Sequence, residues 1–541
     1  MSNQHEAAPY LSVVAASRND DHGGSLLRRM QTFVNAFIAQ CRRHGLSAEL
    51  ILVEWNPPAN RPRLAEALRW PRDLGPCRVR IIEVPAELHQ QYQHAAVLPL
   101  YQMIAKNVGI RRARGKFVLA SNIDILLNDE LMRFLAENQL DPGRMYRVDR
   151  YDAMADVPVD ASPDEQLAYC QTHLLRVNAR EGTLQLTPTG EFVDKQAPRG
   201  ISFGRGWYPR EQRLGTGFRW AYNKADVTLS CAPGENWVLK MDLAPGPSAG
   251  PEGVVLDISD QEHGALGTVT IPRRMILPVA LPASRSDERM LRFSVRGGGH
   301  PVPGDTRILN FRVFQCELVR ESGTMAAPSM QLHPLPASAV LRNQSERIGR
   351  LWTALRHSEG DMRVGMSVPA FLQRRRVRID GSGLSIVLNA RRSALQSRGN
   401  RAKAADYLHS NACGDFTMMA REHWIDLRGY PEFDLYSFNI DTIFCYAAHY
   451  AGVKEQILTE PLRIYHIEHG AGSGWTPEGQ QALFDRLSTQ GIPFVGAQEV
   501  AGWAAQMARL GCPMIFNKDD WGLGNFELPE TTLPETVSTA P

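Results

Sequence analysis

Apolar and polar positions alternate in two different ways along the first 150 residues. Short apolar runs, which predict buried strands, occupy residues 11–17, 49–55, 79–84 and 116–122. Between them, apolar residues recur at helical spacing over residues 25–43 and 99–113, and Gly45 gives the first of these helices a stop signal. Strands that alternate with helices are typical of a mostly parallel sheet with helices on its faces, so we predict a Rossmann-like α/β fold.

The pattern changes after residue 200. Residues 204–320 carry short strand-like runs separated by Gly, Pro and Asp, which predict an antiparallel, jelly-roll-like β-sandwich. Residues 336–380 predict a basic, helical connector, and the α/β pattern returns over 381–500. We therefore expect the sandwich to interrupt one α/β domain formed by 1–200 and 381–500. Residues 501–541 form a C-terminal extension rich in Pro, Thr and Glu, which we expect to trail off.

Composition and charge exclude several classes of protein. The 541 residues are enough for two or three domains, and 60 basic and 58 acidic residues leave a net charge of only +2. Without a long run of one sign, nucleic acid is not an expected partner. No apolar stretch approaches the roughly 20 residues of a spanning helix, and the N-terminus lacks a secretory pattern. We expect a cytoplasmic protein, with room for peripheral association with a membrane.

The eight cysteines do not form a metal-binding pattern. None stands in a C-x-x-C pair, and several lie within apolar helical or strand patterns. They are interpreted as reduced structural thiols, as a cytoplasmic protein would carry.

The run VLASNIDILL at 118–127 is a short apolar strand that ends in Asn122-Ile-Asp124. Side chains two residues apart lie on one face of an extended backbone. An acid at the carboxyl end of a buried strand is well placed for a cation, and a diphosphate held by a divalent ion fits the pair. Asn122 and Asp124 fit equally well as caps of the following helix, whose acidic start lies at 128–130.

Polar side chains also follow other predicted strands, as a nucleotide pocket would require. Arg18 can meet a phosphate, and Glu54 can accept hydrogen bonds from a base or ribose. With two residues of the predicted helix at 99–113, the candidate nucleotide-binding set is Ser17, Arg18, Asn19, Glu54, Lys106 and Asn107. The strand-end residues fit a plain loop and cap as well, and Lys106 fits a solvated surface position.

Further candidates follow residue 405. Asn411, Gly414, Asp415 and Phe416 belong to NACGDF, which combines small residues that allow close approach with an acid. Asp441 opens a predicted helix, where a carboxylate is stabilised as the anion. This suits a general base and equally suits a cap.

Two histidines flank Glu468 ahead of a glycine-rich loop. Their three-residue spacing in IYHIEHG suggests that His466 or His469 contributes one ligand to a metal rather than a full site. A structural role for either histidine is the alternative.

These segments resemble the inverting, nucleotide-sugar-dependent glycosyltransferases of the GT-A fold, of the family-2 type. The resemblance covers about residues 8–155 and 405–480, and its motifs are SRND, VEWNPP, KNVGIRRARGKFVLASNID, GDF, LRGYP and IYHIEHG. It implies that a nucleotide-sugar donor, of the UDP class, is bound by Ser17, Arg18 and Glu54. It also implies that Asn122 and Asp124 occupy the Asp-x-Asp positions for a diphosphate and Mn²⁺ or Mg²⁺, with His466 or His469 completing the coordination.

The resemblance further implies that Asp441 is the catalytic base and that Asp415 contacts a sugar, with Asp415 as the reserve candidate for the base. Asn411, Gly414 and Phe416 would then contact a glycan or glycolipid acceptor. The chain departs from the family where Asn122 replaces the first acid and where the Glu-Asp pair before the catalytic helix is missing.

The predicted sandwich resembles carbohydrate-binding jelly rolls in pattern alone. Its Trp207, Tyr208 and Trp220 fit sugar stacking or simple burial. Two alternatives to a transferase remain: a non-catalytic glycan-binding protein on the same scaffold, and a sugar nucleotidyltransferase. The latter is disfavoured because SRNDDHGG lacks the lysine expected near the N-terminus of that class.

Overall fold

The computed structural model describes residues 8–533 with gaps at 194–196, 214–215, 303–304, 306, 321–404, 470–475 and 478. The predicted connector at 336–380 and the first part of the predicted segment 381–500 lie outside the described residues.

Strands and helices alternate through the first 193 residues, as the hydrophobic pattern predicts. The strands are β1 (Leu11–Ser17), β2 (Ala48–Trp55), β3 (Cys77–Val84), β4 (Phe117–Ala120), β5 (Ile125–Leu127), β6 (Arg144–Val148), β7 (Arg150–Ala153), β8 (Leu174–Ala179), β9 (Gly182–Leu186) and β10 (Phe192–Val193). The helices are α1 (Leu26–His44), α2 (Leu64–Ala67), α3 (Ala86–His89), α4 (Gln102–Arg112), α5 (Asp129–Ala136) and α6 (Pro163–Thr172). In α1, Met30, Phe33 and Phe37 are buried, and Gly45 ends the helix at φ +66°, a conformation that glycine adopts without strain.

A run of strands without helices follows. These strands are β11 (Ile201–Phe203), β12 (Glu211–Arg213), β13 (Thr216–Ala221), β14 (Lys224–Ser230), β15 (Trp237–Pro245), β16 (Val254–Asp260), β17 (Gly264–Ile271), β18 (Met275–Leu281), β19 (Glu288–Val295) and β20 (Phe311–Arg320). They form two antiparallel sheets, with the orders β11-β14-β19-β16-β17 and β12-β13-β20-β15-β18. Buried and exposed residues alternate along β18, so that one face of its sheet turns toward the core. The predicted β-sandwich is confirmed.

Strands and helices return after residue 405. The described elements are β21 (Thr417–Ala420), α7 (Arg421–Asp426), α8 (Ile440–Tyr450), β22 (Lys454–Leu458), β23 (Ile464–Ile467), α9 (Gln480–Thr489), α10 (Ala497–Leu510) and β24 (Glu530–Leu533). These strands join the sheets that the first part of the chain builds. Strand β21 lies between β4 and β6, and β23 lies between β7 and β5.

The main sheet has eight strands in the order β22-β6-β21-β4-β1-β2-β3-β24. Four of its seven neighbouring pairs are parallel, namely β22 with β6, β4 with β1, β1 with β2, and β2 with β3. A second sheet has the order β10-β9-β8-β7-β23-β5. The predicted α/β class is confirmed, with a main sheet that is mixed.

Up to residue 533, where the described part ends, the C-terminal extension does not trail off, contrary to the expectation from its composition. Met507 of α10 and Trp521 are buried in the core, and β24 pairs antiparallel with β3. Arg80 of β3 binds Glu530 at 2.7 Å and Glu49 at 3.0 Å. A short strand at the sheet edge needs few apolar residues because its backbone hydrogen bonds and this ion pair hold it.

Truncating the chain tests whether β24 stabilises the fold. A chain that ends after Leu528 loses β24 and leaves the Arg80 guanidinium, whose side chain is only 4% exposed, with one acidic partner. We expect a loss of about 3 kcal/mol in the free energy of unfolding, measured by denaturant titration. A chain that ends after Leu533 is the matched control, since it keeps β24 and the Glu530 ion pair, and it should be more stable than the shorter chain by that amount. Equal stability of the two truncated chains would contradict the role given to β24.

All eight cysteines are free thiols and seven are buried, as the sequence predicts. Within the described ranges, no helix combines the length and apolar character needed to cross a membrane.

Candidate functional site

A cavity of about 730 Å³ opens where β1 and β4 end. The carboxyl ends of parallel strands are where α/β proteins bind ligands, so this cavity is the candidate functional site. The opposite walls come from the start of α8, the end of β23 and the sandwich. The predicted residues that line the cavity are Ser17, Arg18, Asn122, Asp124, Asn411, Gly414, Asp415, Asp441, His466 and His469.

Asp124, His466 and His469 form a group that could hold a cation. Asp124 Oδ2 lies 3.5 Å from His469 Nε2 and 3.8 Å from His466 Nε2. One ligand atom from each of the three residues falls within 4.8 Å of the other two. Atoms that bind one ion at about 2.1 Å lie about 3 to 3.5 Å apart, so small side-chain movements suffice for coordination. Both histidines therefore face Asp124, whereas the sequence left open which of the two would do so.

Asp152 orients the ring of His466 from the side opposite Asp124. Its Nδ1 lies 3.4 Å from Asp152 Oδ1, which leaves Nε2 toward Asp124. Asp152 is in turn held by Arg176 at 2.6 Å and Arg150 at 2.8 Å. A carboxylate behind a ligating histidine is a common device for fixing the ring. Because Arg176 also binds Glu468, the neighbouring group of Asp152, His466 and Glu468 is already neutralised and does not suit a cation.

The surroundings of Asp124 set its charge balance. Arg29 Nε lies 3.7 Å from Asp124 Oδ2, while the two Nη atoms of Arg29 donate to the carbonyls of His22 and Gly24 at 2.8 Å. Burial lowers the pKa of Arg29 and also lowers the pKa of His469, to about 4. His469 is therefore neutral at pH 7 and keeps a lone pair for a metal.

Asn122 lines the cavity, but its amide is bonded within the protein. Its Nδ2 donates to Asp415 Oδ1, and its Oδ1 accepts from Gln102 Nε2 at 2.9 Å. Arg150 binds the other carboxylate oxygen of Asp415. Burial favours the neutral form of Asp415, but Arg150 outweighs it and holds the pKa of Asp415 below the ordinary value. Of the Asn-x-Asp pair, Asp124 is thus the residue whose side chain faces the histidines.

Asp441 lines another wall of the cavity. Asn439, at φ +63°, is the N-cap of α8, and Asp441 Oδ1 accepts the neighbouring Thr442 N–H, at 2.9 Å. Asp441 is thus not the N-cap, and the capping interpretation of this acid is wrong. Burial raises the pKa of Asp441, against the opposing effects of the Cys413 thiol and Lys106. A carboxylate with a raised pKa in a cavity suits proton transfer.

Lys106 lies behind the cavity wall, not on the nucleotide side predicted for it. It is fully buried, and its Nζ donates to the Gly414 carbonyl at 2.7 Å. Burial lowers the pKa of Lys106 to about 8, against the attraction of Asp415, Asp441 and Asp124. The lysine therefore anchors the loop at Gly414, among the three acids of the site. Close approach there requires glycine, because a Cβ at position 414 would lie 2.8 Å from Asp441 Oδ2.

Two predicted strand-end residues lie outside the cavity. Both carboxylate oxygens of Glu54 accept from Leu64 N, at 3.0 and 3.1 Å, and Asn19 Nδ2 donates to the Pro62 carbonyl at 2.9 Å. Neither residue lines the cavity. Their polar groups hold the connection after β2, so the structure does not bring Glu54 and Asn19 together with the predicted residues that line the cavity.

Asn107 and Phe416 are also placed elsewhere than predicted. Asn107 exchanges two 2.8 Å hydrogen bonds with the backbone of Tyr430. Phe416 is fully buried in the apolar core beside β1 and β4. Asn107 points toward the Tyr430 backbone and Phe416 toward the apolar core, away from the cavity. The sequence alone does not show which side of an element will face the cavity.

The position of Glu54 predicts a pH effect on stability. Burial raises its pKa to about 7 from an ordinary 4.5, despite the Leu64 hydrogen bond. The folded state then holds a proton that the unfolded state has lost, so stability falls as pH rises from about 4.5 through 7. Glu54→Gln should remove this fall and be about 2 kcal/mol more stable than the wild type at pH 8, and equal to it at pH 4.5. Denaturant unfolding at both pH values measures this, and a variant destabilised at pH 8 would contradict it.

The three aromatic residues proposed for sugar stacking are buried. Trp207 and Tyr208 are at most 1% exposed, and Trp220 packs against Phe218 with ring centroids 5.6 Å apart. Simple burial is therefore the correct alternative for Trp207, Tyr208 and Trp220, although the edge of Tyr208 borders the cavity.

Several residues of the site carry no signal in the sequence that would select them. Arg150, Asp152 and Arg180 lie on or after β7 and β8, and Tyr407 follows the long undescribed segment. The one available signal was the alternation of Arg150 and Asp152 in RYDA, which places both on one face of a strand.

No protein-family model matches the chain, and no curated protein matches it. Among solved structures, the CBM22-1 xylan-binding domain of Xyn10C from Paenibacillus barcinonensis is 9% identical over 24% of this chain and 90% of that domain, with a TM-score of 0.17. A family 35 carbohydrate-binding module from an environmental isolate is 13% identical over 24% of this chain and 98% of that module, with a TM-score of 0.16. The GH115 4-O-methyl-α-glucuronidase BtGH115A is 8% identical over 24% of this chain and 18% of its own, with a TM-score of 0.17. Structural similarity at these TM-scores gives no information about the activity of this chain. The geometry of the cavity is the basis for a proposed function.

Proposed function

We propose that this protein is a metal-dependent glycosyltransferase that moves a sugar from a nucleotide-sugar donor, of the UDP class, to a hydroxyl group of a glycan acceptor. The observation that carries the proposal is the placement of the Asp124, His466 and His469 group in the same cavity as the half-buried acid Asp441. A leaving diphosphate needs positive charge, and an attacking hydroxyl needs a proton acceptor. The cavity offers both.

The donor side of the cavity is polar and carries the arginines Arg18 and Arg29. Ser17 Oγ is buried without a hydrogen-bond partner in the described part of the chain, so a ligand can satisfy it. Arg18 lines the same wall and is only partly neutralised, by Asp20 at 2.8 Å. Asp124, His466 and His469 would hold Mn²⁺ or Mg²⁺, which when bound supplies positive charge for the diphosphate.

The acceptor hydroxyl forms a bond to the anomeric carbon of the donor sugar as the bond from that carbon to the diphosphate oxygen breaks. Asp441 takes the hydroxyl proton, and the nucleoside diphosphate leaves with the bonding electrons. Attack from the face opposite the diphosphate inverts the anomeric configuration. Lys106 and Arg150 do not react: they fix the loop at Gly414 and the Asp415 carboxylate.

Calorimetric titration with nucleoside diphosphates, with and without Mn²⁺, tests the donor site. We expect one nucleotide to bind only with Mn²⁺, and Asp124→Asn and His469→Gln to lower that affinity at least tenfold, because each removes a ligand. His44→Gln is the matched control, since His44 pairs with Asp129 outside the cavity. Failure of the wild type to bind any nucleotide would overturn the proposal.

A non-catalytic glycan-binding protein is the second candidate. It is favoured by Asn122, whose amide is bonded to Asp415 and Gln102 and leaves a single acid in the Asn-x-Asp pair. Glycan binding without nucleotide binding and without transfer would establish this alternative.

A further inference from the structure

Arg180 lines the cavity on a wall that is separate from Ser17 and Asp124. It follows β8 in the hairpin to β9, and the neighbouring lining residues Tyr407 and Asn411 come from the segment after residue 405. Tyr208, from the sandwich, closes the wall. Parts of the chain that are far apart in sequence therefore meet at this arginine.

The Arg180 guanidinium is held rigidly. Its Cζ lies 4.6 Å from the centre of the Tyr407 ring and 5.3 Å from that of Tyr222. Arg180 Nη2 donates to the Tyr407 carbonyl, and Tyr407 Oη donates to the Arg180 carbonyl at 2.5 Å. A cation between aromatic rings with its backbone also bonded loses little further freedom when it binds a ligand.

The charge of Arg180 has no acidic partner among the described residues, and its Nε is buried without a hydrogen-bond partner. The other arginines of this region differ: Arg150 binds Asp152 and Asp415, and Arg307 binds Asp305 and Glu211. Arg180 is half-buried and lines the cavity, so its charge stays available to an anion that enters there.

Glu181, although next in sequence, does not fill this role. Its carboxyl group forms no ion pair with Arg180 in the described part of the chain, and burial raises the pKa of Glu181. The guanidinium of Arg180 therefore remains open toward the cavity.

We infer that Arg180 binds the anionic group of an acidic saccharide, a carboxylate or a sulfate ester, and that this wall is the acceptor subsite. The designation as acceptor rests on the proposed transferase function, whereas the binding itself does not. A planar guanidinium matches a carboxylate or sulfate with two parallel hydrogen bonds, and Asn411 and Ser410 on the same wall offer polar contacts for sugar hydroxyls.

The test is calorimetric titration of the full-length protein, without nucleotide, with three sets of tetrasaccharides: uronates, sulfated hexoses and neutral hexoses, each in the gluco, manno and galacto configurations. We expect an acidic tetrasaccharide to bind at least tenfold more tightly than its neutral counterpart. The uronate and sulfated sets identify which anion is bound. Arg180→Gln should abolish this preference, and Arg180→Lys should keep part of it because the charge remains.

Arg274→Gln is the matched control, since Arg274 also stacks on an aromatic ring, 3.8 Å from the centre of Phe314, but lies outside the cavity. Equal binding of neutral and acidic sugars, no binding of any acidic tetrasaccharide, or an unchanged preference in Arg180→Gln would overturn the inference. Thermal unfolding of the unliganded variants separates misfolding from lost binding, and Arg180→Lys tests the charge if Arg180→Gln does not fold. Acidic saccharide binding in a protein that binds no nucleotide would overturn the proposed function and leave this subsite standing.

Discussion

Replacing Asp441 with asparagine is expected to lower the rate of sugar transfer by about a thousandfold, while nucleotide binding stays within about twofold of the wild type. The amide keeps the shape of the carboxyl group and can still accept the Thr442 N–H, but it cannot take a proton. The measurement is the initial rate of nucleoside diphosphate release at saturating donor, beside calorimetric titration of the nucleotide. A loss confined to the rate assigns Asp441 to proton transfer.

Glu54→Gln is the matched control, because Glu54 is also a carboxyl group with a raised pKa but lies outside the cavity. It should leave the transfer rate unchanged. Burial also raises the pKa of Asp441, so the wild-type rate should fall on the acid side at a pH above the ordinary carboxyl range. Transfer that survives in Asp441→Asn would place the proton acceptor elsewhere, and loss of nucleotide binding would make Asp441 a structural residue.

The second large effect is expected at Asn122. Asn122→Asp converts the donor of the hydrogen bond to Asp415 Oδ1 into a second carboxylate, where the Asp415 side chain is only 7% exposed. A carboxylate at the half-buried position 122 and the buried Asp415 carboxylate repel each other and lose their hydrogen bond. We therefore expect a loss of about 3 kcal/mol in the free energy of unfolding at pH 8. Denaturant unfolding measures it.

The double variant Asn122→Asp with Asp415→Asn exchanges donor and acceptor and should recover at least half of that loss. Arg150 loses its contact with residue 415 but keeps Asp152, so recovery is expected to be incomplete. A double variant less stable than Asn122→Asp would show that the Arg150 ion pair dominates. The expected result would explain why asparagine stands here where the resembling family carries an acid.

Local sequence patterns were sufficient to predict the strands and helices, but not to predict which strands pair with each other. Apolar runs predicted β1 at its observed bounds, and helical spacing predicted α1 to within one residue, because burial of one face is a property of a short segment. The edge strand β24 was missed because the backbone hydrogen bonds to β3 and the Glu530 contact with Arg80 hold it, with little apolar burial.

Within the site, the sequence identified Asp124, His466, His469 and Asp441 because each lies at the end of a strand or the start of a helix. It failed for Glu54 and Asn107, since a polar residue at such a position can equally bond a neighbouring backbone. Arg180 could not have been predicted, because its environment is built by Tyr222 and Tyr407, which are distant in sequence.

The position of β21 between β4 and β6 bears on how the protein is made. During synthesis, β4 and β6 emerge long before residues 417–420, and the sandwich strands separate them in time. Until residues 417–420 are synthesised, the position of β21 in the main sheet is empty. The unpaired edges of β4 and β6 can then pair with the wrong strand. Closing the sheet also joins residues about 300 positions apart, which slows folding. The paired residues of the sandwich lie within about 100 positions of one another, against about 300 for β4 and β21. The sandwich is therefore expected to fold first, and the cavity is expected to form last.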